Sequence, residues 1–174
     1  TSLSDAYTDP QTGITSLVAG DTLLWCARED GAAHTVPASP GYIDIPTTGT
    51  ITLCIKIIGC NSTGVDDGTK IVLTGASAAT YGFRAWGTKS YIAYKNFECK
   101  LFTGAGFVWN GQCVGWRVIN CDAHHNGTNG FHGNYYLNEC FFFKCKAYNN
   151  TGAGFLVGNS GYSIILFMCE SYLN

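Results

Sequence analysis

The chain has 174 residues, enough for one domain with a sizeable core, and its aromatic side chains (14%) outnumber its charged ones (13%). With 22 glycines and a single methionine, that balance excludes a disordered chain and points to a β-rich protein with many turns. A net charge of −2 provides no field to draw in nucleic acid or an anionic membrane, and the apolar run YSIILFMC (162–169) is too short to span a bilayer.

In chain order, residues 1–20 read as an N-terminal segment or cap, and 21–174 as one domain. LVAGDTLLWCA (17–27) opens it, a long loop occupies 27–49, and ITLCIKIIGCN (51–61) and DGTKIVLTG (67–75) carry the next strands. From there the sequence matches itself at an offset of 24. Gly-Phe pairs fall at Gly82-Phe83, Gly106-Phe107, Gly130-Phe131 and Gly154-Phe155, and cysteines at Cys121, Cys145 and Cys169. Repeats of this length are stacked units, and the glycines and asparagines leave no room for a helical period.

Each repeat predicts two strands. In the first, three columns alternate inward: Ile71, Ile119, Phe143 and Phe167; then Leu73, Phe97, Cys121, Cys145 and Cys169; then Gly75, Cys99, Ala123, Ala147 and Ser171. Asn96, Asn120 and Lys144 are expected between them on the outside, as are Thr74, Glu98, Asp122, Lys146 and Glu170. Lys95 falls in an inward column, where a charge is costly, so a bulge is expected there. The second strand begins at Phe83, Phe107, Phe131 and Phe155, which should stack inside. Asn126 and Asn150, joined by Asn174, share a turn position and should bond to one another as a ladder. The fold expected is an all-β parallel β-helix, a solenoid with about 24 residues per rung.

VINCDAHHNGTNGF and FKCKAYNNTGAGF resemble the rungs of right-handed parallel β-helix proteins, the pectin-lyase-like superfamily, and Gly20-Asp21-Thr22 resembles the segment that opens the first rung in many of them. The resemblance covers about 20–174. It implies the fold and a choice of functions: lyases, hydrolases, epimerases, adhesins, and phage tailspike or virion proteins. The cysteine-bearing rungs are most similar in style to the phage-associated helices. That implies a non-catalytic structural or adhesive module of a virion surface or tail, contacting glycans or other virion proteins. The alternative is a carbohydrate-active enzyme, a polysaccharide lyase or glycoside hydrolase, or its N-terminal part.

The candidate binding strip lies on the outer face of the first strand: Glu98, Lys100, Asp122, His124, Lys146, Tyr148, Glu170 and Tyr172. Carboxylates and histidine offer hydrogen bonds to a glycan, tyrosines a stacking surface; without a ligand the strip is a solvated, charge-alternating face. Glycosidases need two carboxyl groups about 5–5.5 Å or 6.5–9.5 Å apart, and Glu98 and Asp122 on adjacent rungs approach the shorter value. The superfamily's hydrolase motifs are missing, and FHG (131–133) is not its Gly-His-Gly. Only one aspartate follows Asp67, and Arg84 and Arg117 occupy other columns, so no catalytic residues, metal or cofactor are expected. His132 shares its column with Arg84, Val108 and Leu156.

Nine cysteines without a C-x-x-C pair, several in small inward slots, predict reduced core thiols and assembly in a reducing cytoplasm. Three sequons, at Asn61, Asn126 and Asn149, point the other way, to secretion. The sequence stops after the first strand of its last rung, which predicts a longer polypeptide, a homo-oligomer or a partner chain covering that end.

Overall fold

The computed structural model, which describes residues 10–157 and 162–174, is a parallel β-solenoid preceded by one short helix, Pro10–Thr15. Three parallel sheets form its walls. The first runs through Thr22–Cys26, Ile55–Cys60, Ile92–Lys95, Arg117–Ile119, Phe141–Phe143 and Ile165–Phe167. The second contains His34–Thr35, Ile71–Thr74, Phe97–Lys100, Asp122–His124, Lys146–Tyr148 and Glu170–Tyr172. The third contains Ile43–Asp44, Phe83–Trp86, Phe107–Asn110, Phe131–Gly133 and Phe155–Val157.

Register follows the 24-residue repeat through the upper turns. Phe83 lies under Phe107, Phe107 under Phe131, and Phe131 under Phe155. The first turns are longer: His34 pairs with Leu73 and Ile43 with Phe83. The expected loop at 27–49 therefore holds two short strands, which supply two walls of the first turn. The repeat also slips once. Ile71 lies against Phe97 and Leu73 against Cys99, 26 residues on, so Leu73 does not share the Phe97 column. The two extra residues fall in the turn after Thr74, where Ala76 and Ser77 take positive φ (47° and 58°).

A left-handed residue turns each corner. Asn96, Asn120, Lys144 and Met168, all with φ between 51° and 62°, separate the first sheet from the second. Leu101, His125, Asn149 and Leu173 leave the second sheet in the same conformation. Such a residue breaks the alternation of the strand, so the phase of inward side chains shifts by one across it. Hence Val118 points in, Ile119 out, and Cys121 and Ala123 in again. Reading one continuous strand across the corner misplaces the column of Ile119, Phe143 and Phe167, which faces outward; Phe143 and Phe167 stack at 5.8 Å on the surface. Lys95 belongs to this outer column and pairs with Asp66, so no bulge is needed. Asn96, expected outside, is fully buried at its corner and donates to Gly59 O (3.0 Å) and Asp66 (2.8 Å), while Asn120 donates to Asn96 (2.8 Å).

Inside, the phenylalanines stack nearly parallel, with ring centroids 5.6, 5.0 and 4.7 Å apart from Phe83 to Phe155. Tyr94 stacks on Phe83 and Trp109 lies parallel to Phe107, Phe142 meets Phe131 and Phe155 edge-on, and Trp116 packs behind against Tyr94 and Trp109. The glycine before each phenylalanine is a steric requirement: a Cβ at Gly82 would run into the Gly106 carbonyl. Asn126 donates to Asn150 (3.0 Å), and Asn150 to Asn174 (2.8 Å). Each of these amides also donates to a main-chain carbonyl 27 residues earlier, on the preceding turn: Cys99, Ala123 or Ala147. All nine cysteines are free thiols. Cys121 and Cys145 are fully buried, and burial pushes the Cys121 thiol up to about 12.

Phe131→Ala removes the middle of the aromatic stack and should cost about 3–5 kcal/mol in denaturant melts. Thr128→Ala, at an exposed turn, should stay within about 0.5 kcal/mol. In the native protein a thiol reagent should label Cys26, Cys54 and Cys169, which are partly open, well before the six buried cysteines. Peptide mapping of a timed alkylation checks that order.

Candidate functional site

The outer face of the second sheet carries the expected strip, and the register aligns it. Glu98, Asp122, Lys146 and Glu170 form one column; Lys100, His124, Tyr148 and Tyr172 form the other. Small inward residues at Cys99, Ala123 and Ala147 keep this sheet close to the core and fix the outward direction of the residues between them.

The charges of the strip are paired, some along one strand and others across turns. The Glu98 carboxylate holds the Lys100 ammonium at 2.9 Å and accepts at 3.1 Å from His124 Nε2 if that nitrogen carries the proton. Lys146 meets Glu170 at 3.1 Å. Asp122 pairs at 2.6 Å with Lys70, a residue outside the repeat frame that reaches up from the segment between the first two sheets. The rest of that segment, residues 61–70, climbs the same corner: Asp66 binds Lys95 and Asn96, and Gly68 O accepts from Asn120 at 3.4 Å.

The strip is less open than a solvated face. His124 is 7% exposed and Asp122 9%. The His124 ring lies flat against Tyr148 (4.5 Å, 8°), and Tyr148 against Tyr172 (5.1 Å, 2°). Ring faces that a sugar would stack on are thus occupied by one another, and Tyr148 is covered on both sides. His124 Nδ1 lies 2.7 Å from Nδ1 of His125, so one proton bridges the two rings. His125 had no mark in the repeat, because it occupies the left-handed corner shared with Leu101 and Asn149.

The Glu98 carboxyl is tuned away from acid catalysis. His124 and Lys100 hold the Glu98 carboxyl down at about 2, whereas a general acid needs its value raised. Burial and the nearby Asp122 and Glu98 charges push the Tyr148 phenol up, keeping it protonated. His132 lies in the Arg84, Val108 and Leu156 column of the third sheet, and burial lowers its pKa. His34 packs edge-on against Trp25 at 5.6 Å, away from the strip. Among the described residues no three His, Cys, Asp or Glu side chains converge on a point where they could hold a metal ion. No protein-family model, curated protein or solved structure matches the chain.

His124→Ala should cost about 1–3 kcal/mol, because it strips a buried partner from Glu98 and support from Tyr148. The pH dependence has a definite sign. The folded value of Glu98 is depressed below its ordinary 4.5, so its stabilisation is complete above pH 4.5 and is lost as pH falls toward 2. The carboxyl is partly exposed and screened, so the loss should be about 1 kcal/mol. Urea midpoints compared with those of Glu98→Gln across that range measure it.

Proposed function

We propose that this chain is a non-catalytic structural or adhesive β-helix module of a virion surface or tail, whose partners are other virion proteins or surface glycans. One observation carries the reading. Charged side chains of the outer strip bind one another across turns, His124 on Glu98, Lys70 on Asp122, Lys146 on Glu170, while Lys100 meets Glu98 along its own strand, so they hold the stack together instead of projecting toward a substrate. The pectin-lyase-like rungs, in the cysteine-bearing style of phage helices, supply the setting. Buried thiols that donate to main-chain carbonyls, as Cys145 does to Val118 O at 3.3 Å, support assembly in a reducing cytoplasm before release in a particle. Phe141, Phe143, Ile165 and Phe167 line the outer face of the first sheet, which supports association between copies of the chain. Glycan contact on the strip would use hydroxyl and amine edges, with the outermost ring, Tyr172 (43% exposed), as its one stacking surface.

The competing reading is a polysaccharide lyase or glycoside hydrolase, and turnover separates the two. Incubation with a panel of acidic and neutral polysaccharides should release neither reducing ends nor unsaturated products. Peptides of this chain should co-fractionate with capsids or tails from the natural source. Depolymerisation abolished by Glu98→Gln, with the chain recovered as a free secreted protein, would replace this proposal with the enzymatic one.

A further inference from the structure

The first two strands of the first sheet end on cysteines that face each other. Cys26 and Cys60 are partners in parallel register, and their sulfur atoms lie 3.4 Å apart, with the Cys60 S–H directed at Cys26. Adjacent strands run about 4.8 Å apart, inside the Cα separations of about 4.4–6.8 Å that a disulfide bridges. Each cysteine is the last residue of its strand and is followed by an irregular segment, so the main chain there has room to draw the sulfurs together. Six other thiols, those of Cys54, Cys113, Cys121, Cys140, Cys145 and Cys169, donate to main-chain carbonyls; Cys145 and Cys169 also contact each other, which holds the Cys169 thiol down at about 7. Cys99 is sealed in the core.

The two members of the pair differ in access. Cys26 is partly open to solvent, whereas Cys60 is fully buried. Burial, then the contact with Cys26, then the charges of Asp66 and Asp67 push the Cys60 thiol up to about 12. One thiol is placed to meet a reagent and the other to resolve what forms.

We propose that Cys26 and Cys60 are a dithiol modification site that takes small-molecule disulfides and closes into a cross-strand disulfide. The Cys26 thiolate attacks one sulfur of the reagent, forms a mixed disulfide and releases the first small thiolate. Cys60 then gives its proton to that thiolate and attacks the Cys26 sulfur, expelling the second small thiolate, which takes up the proton that Cys26 lost to solvent when it ionised. Two protein thiols are oxidised, and one small disulfide is reduced to two thiols. The bond ties the first turn to the second and closes a ring around the segment holding His34–Thr35 and Ile43–Asp44, so the oxidised protein has fewer unfolded conformations and a higher thermal midpoint.

The test treats the full chain with oxidised glutathione at about pH 8. Free thiols are then alkylated in denaturant and the peptides mapped. One cross-linked peptide should join Cys26 to Cys60, distinct from any glutathione adducts on the partly open Cys54 and Cys169, and dithiothreitol should restore both thiols. In Cys60→Ser a single glutathione should remain on Cys26, and in Cys26→Ser neither cross-link nor adduct should form at Cys60. Nine thiols surviving, a stable adduct on Cys26 of the unsubstituted chain, or a cross-link mapping to Cys145 and Cys169 would each overturn the assignment. Should a serine variant fail to fold, the mapping of the unsubstituted chain alone decides.

Discussion

The fold rests on main-chain hydrogen bonds between turns that must stay in parallel register while the chain bends three ways in each turn. Left-handed corner residues reconcile these demands. Each costs conformational energy for a residue other than glycine, least for asparagine. Gly115 and the positive-φ residues Tyr91, Glu139 and Ser163 mark the corner that enters the first sheet, just as Asn96 and His125 mark the next two. Because corners recur at the same place in each turn, like side chains fall above like, and the asparagine and phenylalanine ladders follow from the backbone geometry.

This constraint explains where reading residues succeeds and where it stops. The Gly-Phe pairs, the cysteine column and the 24-residue period were legible because each repeats without interruption above Phe83. The corner at Asn120 was not, since asparagine between apolar residues looks the same as an outward strand position. One unrecognised corner put Ile119, Phe143 and Phe167 on the wrong side and made Lys95 look buried. The first turns were opaque for a different reason: their spacings are irregular, and strands of two residues such as His34–Thr35 exist only because Ile71–Thr74 is there to pair with.

The outer strip shows a similar division. Its membership was readable, because register alone sets which side chains share a column. Its openness was not, since the burial of His124 and Asp122 depends on Tyr148, His125 and Lys70, and Lys70 arrives from outside the repeat. A histidine that looks available in sequence is thereby enclosed between a carboxylate, a second imidazole and a phenol. The same contacts that give the strip its rigidity use much of its hydrogen-bonding capacity, although one buried carboxylate oxygen of Asp122, Oδ1, has no partner.

The segment at 61–70 changes the character of the whole rod. A solenoid whose turns touch only their neighbours behaves as a one-dimensional chain, able to peel from either end one turn at a time. Here Asp66 grips Lys95 and Asn96, Gly68 reaches Asn120, and Lys70 reaches Asp122, so a single covalent span is anchored to successive turns above it. Fraying that starts at the N-terminal end cannot pass this point without releasing several turns together. The molecule is therefore divided into a spliced lower part whose turns yield together and an upper part whose turns can separate in steps.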